Sequence, residues 1–561
     1  MMADPQVGPP EPRVIPVTLE FPVSWDVPED EHMPWQFDPM HFPNPLPRWE
    51  NELWCEMANK GMSPAFAGYE MPIRARGKIF NDYNYAAMFP VVPPEEMEAQ
   101  GKKAEVALGA AMASMQERWE GEWLPEIKEH LAFWDACDLA ALSPEQMLAQ
   151  YDATLERTMR LWHLHFEIVV PAYAAMGLFD DLYKDLFEDQ GAFSAIQLLG
   201  GFDNKTLETD RALWDLSRKA TDKEVRQIVT TKASSQVVAA LAGSAAGQAL
   251  LSALNAYLAD YGQRGPSLSV YEPSLIEDPS PMIKNLQDYI GQEGGDPRER
   301  LAAQAEERET GLAKAREQLA GYPEKVRGQF EFLLQAAQVG VVLSEDHGFW
   351  IDFQSTHRVR MVMVEVGRRL AEAGVVAEAS DAFHLGMAEV RDALAALPEG
   401  DLQGLVAERK ADIDRHRGVQ PPMQLGTDYG PPPEDPLSRA FGKFFGTPPE
   451  PSNEEGNLNG HAGSPGKIQG TAKVVGALAE AEKLQQGDIL VTGTTSPAWT
   501  PLFATAGAIV TDTGGILSHC AVVAREYRIP AVVGTGAATK RISDGQVLEV
   551  DGDNGTVRIV G

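Results

Sequence analysis

The stretch Thr511-Asp-Thr-Gly-Gly-Ile-Leu-Ser-His-Cys-Ala-Val-Val-Ala-Arg525 constrains this chain most, because it sets a buried strand, a tight turn and a helix end to end. Ala506 to Thr511 has the apolar, β-branched character of a short strand. Gly514 and Gly515 permit a turn that a Cβ would block, and Ser518 is predicted as the N-cap of the following helix. His519 then occupies the first helical turn, where free backbone N–H groups and the positive end of the helix dipole stabilise a phosphate. A neutral imidazole is a competent nucleophile near pH 7. The arrangement predicts a phosphohistidine at His519, with Thr511, Gly514, Gly515 and Ser518 shaping its surroundings. The competing reading is a capping or half-buried histidine. Arg525, on the same helix face as Ser518, is a candidate phosphate support or else a salt-bridge arginine.

Between Gly418 and Gly466 the composition turns to proline, glycine and acidic residues, which cannot bury enough surface for a core. This predicts a linker of swivel type over 418–462, with the amphipathic piece Leu437 to Phe445 inside it as a transient dock or hinge. Residues 101–417 read as helical, with apolar residues recurring at three and four. Pro297 to Leu319 is a clear helix with Asp296 as its N-cap, and Arg358 to Ala373 is another. Val237 to Leu258 is apolar but interrupted by polar residues, so it is expected as one core helix, with no membrane span. Residues 1–100 are rich in Trp, Pro and Phe without a sustained period. They are expected as a loop-and-short-strand layer wrapping the helical region.

At 561 residues the chain is expected to form two or three domains. A formal net charge of −34 without a basic stripe argues against nucleic acid and anionic membranes as partners. The three cysteines, Cys55, Cys137 and Cys520, have neither disulfide nor metal spacing, which predicts a cytoplasmic protein with no metal site of its own. The N-terminus lacks the basic and apolar regions of a signal peptide.

The run T-D-T-G-G-x-x-S-H-x-A-x-x-A-R-E-x-x-I-P-A-V-V-G resembles the signature of the swivelling phosphohistidine domain of the PEP-utilising enzymes. The resemblance covers 463–561, including Gly466-Lys-Ile-Gln-Gly470, Gly487-Asp-Ile-Leu-Val491 and Thr495-Ser-Pro-Ala-Trp-Thr500. It implies an α/β domain whose His519 carries a phosphoryl group from a nucleotide site to an acceptor site. Shorter phrases, among them Gly200-Gly-Phe-Asp-Asn-Lys-Thr206, Tyr261-Gly-Gln-Arg-Gly265 and Ser344-Glu-Asp-His-Gly-Phe-Trp-Ile351, resemble the branch containing rifampin phosphotransferase and phenylphosphate synthase. The expected architecture is multidomain: a mainly α-helical acceptor domain followed by that C-terminal α/β swivelling domain.

Transfer from phosphohistidine to a hydroxyl needs a base and donors that hold the moving phosphoryl group. His347 is the candidate base, oriented by Glu345 or Asp346, and Arg264, Arg358 and Arg360 are candidate clamps. Each has a plainer alternative: Arg264 as a cap on helix carbonyls, His347 as a histidine paired to a carboxylate. No Walker-type loop and no ATP-grasp stretch is recognisable. The resemblance therefore implies a hetero-oligomer in which a separate ATP-grasp subunit binds ATP and Mg²⁺ and charges His519, releasing AMP and phosphate. The acceptor is expected to be a small phenol. The alternatives are a rifampin-like antibiotic acceptor and a non-catalytic phosphohistidine relay.

Overall fold

A computed structural model describes residues 12–187, 194–292, 295–430, 435–446, 452 and 456–560. Parts of the expected linker, 431–434, 447–451 and 453–455, lie outside the described residues, as do 1–11 of the expected N-terminal layer. Internal packing divides the chain into two discontinuous units, Met1–Ile168 with Arg358–Asp435 and Val169–His357 with Pro436–Gly561.

In the first unit, β1 (Arg13–Val14), β2 (Pro34–Phe37), β3 (Ile73–Phe80), β4 (Tyr83–Pro90) and β5 (Gln424–Asp428) form an antiparallel sheet in the order β1-β5-β2-β4-β3. The hairpin of β3 and β4 is longer than the short strands expected there. Asn81 and Asp82 hold left-handed backbone angles, φ 48° and 61°, and so make a two-residue turn without glycine. β5 falls within the expected linker and pairs with β2 in this sheet. Trp35, Phe37, Phe80, Tyr83 and Tyr85 pack together on the sheet. Trp49 and Trp54 are also core residues: the Trp49 indole donates to the Tyr151 hydroxyl at 2.8 Å, and the Trp54 ring meets Trp162 edge-on at 5.1 Å.

The second unit joins a set of helices to a C-terminal α/β region. Helix Pro297–Leu319 runs as expected, with the Asp296 carboxylate accepting from the Arg298 N–H at 2.9 Å. The apolar run Val237–Leu258 is two helices, Ser234–Ala242 and Gly247–Tyr261, separated by a turn at Gly243 to Ala246. Their apolar faces meet Leu213, Trp214, Ile283 and Leu286 in one cluster, so burial rather than length explains the hydrophobicity. Among the described residues no helix is long and apolar enough to cross a membrane.

The C-terminal region holds β6 (Asn457–Asn459), β7 (His461–Ser464), β8 (Lys467–Val474), β9 (Ile489–Thr492), β10 (Ala508–Thr511), β11 (Ala531–Val533), β12 (Val547–Asp551) and β13 (Thr556–Ile559). They form one sheet in the order β6-β13-β12-β8-β9-β10-β11-β7, parallel from β8 through β11 and antiparallel at both ends. β9, β10 and β11 are buried throughout, which matches their apolar runs Ile489–Val491, Ala508–Val510 and Ala531–Val533. The helix following β10 starts at His519.

Candidate active site at His519

The turn between β10 and the helix His519–Tyr527 is held from both ends. Thr511 closes it locally, its hydroxyl donating to the Thr513 carbonyl at 2.8 Å while its own carbonyl accepts from the N–H and hydroxyl of Thr535, each at 2.9 Å. Asp512 accepts from the Thr539 N–H at 3.1 Å. Gly514 has φ +101°, and a Cβ on Gly515 would stand 2.2 Å from the Lys443 carbonyl oxygen, so both glycines are required where the sequence has them. Ser518 does occupy the N-cap position, but its hydroxyl makes no capping bond. The Ser518 N–H donates to the Gly515 carbonyl at 3.1 Å, which closes the turn ahead of the helix without capping its first-turn N–H groups.

His519 projects from the first residue of that helix with its side chain 16% exposed. Its Nδ1 lies 3.2 Å from Oε1 of Glu345, and its Nε2 lies 3.4 Å from the Thr500 hydroxyl. Glu345 stands in the last turn of helix Glu324–His347 and is buried. Its second oxygen accepts from the Thr206 hydroxyl at 2.7 Å. Thr206 is fixed in turn by helix Lys205–Arg218, which Asn204 caps through the Leu207 N–H at 2.9 Å.

Burial pushes the Glu345 pKa up, but the charge and hydrogen bond of His519, the Thr206 hydroxyl and nearby His347 outweigh it and hold the carboxyl below its ordinary value. An ionised carboxylate only accepts, so the hydrogen-bond network assigns the proton to Nδ1 of His519. With the ring proton on Nδ1, Nε2 keeps its lone pair and faces the Thr500 hydroxyl.

The other candidates are dispersed. Arg264 is buried in the second unit, its Nη2 3.4 Å from the Lys205 carbonyl and its guanidinium 5.5 Å above the Phe349 ring. Burial lowers its pKa, as expected of a cation held among rings. His347 directs Nδ1 at the Leu343 carbonyl, 2.7 Å away, and its Nε2 lies 3.8 Å from Asp352. Its expected orienting partners are engaged elsewhere, Glu345 with His519 and Thr206, and Asp346 with the Lys205 N–H at 2.7 Å. Arg525 does not turn toward His519. Its guanidinium donates to the carbonyls of Gly463 (2.7 Å) and Ile516 (2.9 Å), a staple between turn and strand, and burial pulls its pKa down to about 10. Arg358 and Arg360 belong to the first unit, where Arg358 grips Asp135 with two bonds of 2.8 Å and Arg360 lies 5.9 Å from the Phe383 ring. Thr206 and Thr500 were not singled out from sequence. A threonine carries no distinguishing local pattern, although both lie inside phrases that resemble the family.

Burial pushes the Asp346 pKa up to about 6. The folded chain then binds more protons than the unfolded one between the ordinary carboxyl value and pH 6, so stability falls as pH rises through that window. Asp346→Asn keeps an acceptor for the Lys205 N–H and removes the charge. It should raise stability at pH 8 by about 1–2 kcal/mol and leave it unchanged at a pH below the ordinary carboxyl value. Equal thermal midpoints for the two proteins at pH 8 would contradict this.

Comparison with known proteins places both sides of this site in matched regions. Residues 484–555 match the PEP-utilising enzyme mobile domain, which contains His519. Residues 164–345 match the rifampicin phosphotransferase fourth domain, which ends at Glu345. Chondramide synthase cmdD of Chondromyces crocatus is 40% identical over 557 residues, covering 97% of this chain and 14% of that protein. The uncharacterized phosphotransferase YvkC of Bacillus subtilis is 31% identical over 398 residues, 71% of this chain and 47% of YvkC. A rifampicin phosphotransferase of Streptomyces sviceus is 32% identical over 318 residues, 55% of this chain and 34% of that enzyme. The chain thus spans less than half the length of these curated relatives.

Proposed function

Because this chain belongs to the rifampicin phosphotransferase-like branch of the PEP-utilising proteins, we propose that it is a phosphotransferase component that delivers a phosphoryl group from His519 to a hydroxyl. The observation that carries this reading is the His519 ring held between Glu345 and Thr500, with Nδ1 occupied and Nε2 left to react. In the proposed cycle an ATP-grasp subunit outside this chain binds ATP and Mg²⁺ and transfers the β-phosphoryl group to Nε2, while water takes the γ-phosphoryl group, leaving AMP and phosphate. No residue of this chain is assigned to the nucleotide or the metal.

Delivery forms an O–P bond to the acceptor and breaks the N–P bond, while the hydroxyl proton passes to a base. His347, two residues from Glu345 on the same helix, is the proposed base. The helix N-terminus beneath His519 favours the phosphoryl charge, and Arg264 is the proposed cation on the acceptor side. Glu345 keeps the proton on Nδ1, so the departing imidazole leaves as a neutral ring. The aromatic rings of Phe349 and Phe353 beside Arg264 support a flat apolar acceptor, for which a small phenol is the proposed class. A second reading, a hydroxyl on an antibiotic macrocycle, is favoured by the match of 164–345 to the rifampicin phosphotransferase fourth domain.

The test is an incubation with β-labelled ATP and Mg²⁺, first alone, then with an ATP-grasp subunit, then chased with phenol. Acid-labile label on His519 that needs the subunit and moves to an aryl phosphate is the expected result. Label without the subunit removes the two-component reading, and no label under any condition removes the phosphotransferase reading. A chase by rifampicin but not phenol selects the second acceptor.

A further inference from the structure

Helix Pro436–Phe445 takes no part in the chemistry proposed above, yet it joins the two sides of the His519 site. One face rests on the second half of helix Pro144–Leu186. Ala440 sits so close to Gly177 that a Cβ there would stand 2.3 Å from its methyl group. Phe444 stacks on Tyr173 with centroids 4.2 Å apart and planes inclined by 21°. Lys443 closes the contact, its Nζ 2.8 Å from Asp180, 2.5 Å from Asp181 and 3.0 Å from the Gly177 carbonyl.

The backbone of the same helix holds the turn ahead of His519. The Gly515 N–H donates to the Phe444 carbonyl and the Leu517 N–H to the Lys443 carbonyl, both at 2.9 Å. One lysine therefore bonds helix Pro144–Leu186 through its side chain and the histidine turn through its carbonyl. The two attachments differ in kind. The bonds to the turn are backbone bonds beside a glycine that admits no side chain. The attachment to the long helix is one stacked ring, one small-residue notch and ion pairs whose Asp181 side is partly open to solvent.

We propose that helix Pro436–Phe445 is a strap that keeps the His519 turn facing Glu345, and that its detachment from the Gly177 notch releases the histidine-bearing region. The inference rests on the reading of His519 as a phosphoryl carrier that leaves Glu345 to be charged. On detachment the strap stays with the turn through its two backbone bonds. Asp180 keeps a partner when Lys443 leaves, because Lys184 lies 2.7 Å from the same carboxylate oxygen. The long helix therefore does not depend on the strap for its charge balance.

Two substitutions address the notch from opposite sides. Gly177→Ala places a methyl where Ala440 sits while raising the helix propensity of its own segment. Lys443→Ala removes the ion pairs and leaves Asp180 with Lys184. Spin labels at Lys314→Cys on helix Pro297–Leu319 and Thr556→Cys on β13, in a Cys137→Ser background, report the separation of the two regions. The parent should give one narrow distance distribution. Each variant should shift the ratio of docked to undocked populations by about tenfold toward a longer, broader one, with unchanged circular dichroism. A distribution unaltered by both substitutions, or one already broad in the parent, overturns the strap. If Gly177→Ala does not fold, Lys443→Ala alone decides. The distances are taken without nucleotide or acceptor, so a failed strap leaves the phosphohistidine reading intact, whereas unlabelled His519 in the ATP experiment defeats that reading whatever the distances show.

Discussion

His519→Ala should abolish phosphoryl transfer, a loss of at least about four orders of magnitude, with secondary structure unchanged. Without the imidazole there is no atom to carry the phosphoryl group between two sites, and no neighbour replaces it, since a threonine hydroxyl would form a stable phosphate ester that does not pass the group on as a phosphoramidate does. The helix itself packs through Cys520, Ala521, Val523 and Ala524, which are buried against Leu490, Ile509 and Phe503. The substitution leaves one oxygen of buried Glu345 without its hydrogen-bond partner, although Thr206 still donates to the other. A modest loss of stability, about 1–3 kcal/mol, follows at neutral pH. Aryl phosphate formation and circular dichroism on the same sample check both parts, and turnover near the parent level would end the mechanism proposed here.

Glu345→Gln should slow delivery to the acceptor by about two to three orders of magnitude while leaving the charging of His519 nearly unaffected. The carboxylate can only accept from Nδ1, whereas an amide can turn its NH₂ toward the ring and favour the wrong tautomer. In the proposed cycle the histidine leaves Glu345 to be charged and meets it again to deliver, which is why the two half-reactions should separate. The pH dependence gives an independent readout. A carboxyl held below its ordinary pKa contributes its interaction fully above that ordinary value, and loses it as pH falls through the depressed folded value. Delivery by the parent should therefore acquire an acid limb below about pH 4.5 that the Gln variant lacks. Equal slowing of both half-reactions, or an acid limb shared by both proteins, would assign Glu345 to structure alone.

The legible part of this site was local. Strand, glycine turn and helix from Ala506 to Arg525 follow from near neighbours, because β-branched burial, the steric demand at Gly514 and Gly515 and the run of small apolar residues all act within a few residues. The Asp296 cap was legible for the same reason. Ser518 shows the limit even at short range: it holds the expected N-cap position, but its hydroxyl makes no capping bond and its N–H donates to the Gly515 carbonyl.

Where a side chain went, by contrast, depended on distant residues. Glu345 and His519 are 174 positions apart, and nothing in either segment states that a carboxylate meets Nδ1 rather than orienting His347. Arg525 has the helix face expected of a phosphate ligand, but desolvation drives a half-buried guanidinium to whatever carbonyls surround it, here those of Gly463 and Ile516. Arg358 was consumed by Asp135, 223 positions away. The hairpin at Asn81 and Asp82 escapes sequence reading because its turn lacks glycine; the amphipathic piece Leu437 to Phe445 is legible as a dock or hinge, but its partners, Tyr173 and Gly177, are not, because they lie far upstream. Sequence alone therefore determined the strand, the turn and the helix that present His519, since propensity and backbone sterics are short-ranged. Tertiary structure decided the partners of each charge, since a buried ionised group must find its counterpart in space, wherever the chain happens to bring it.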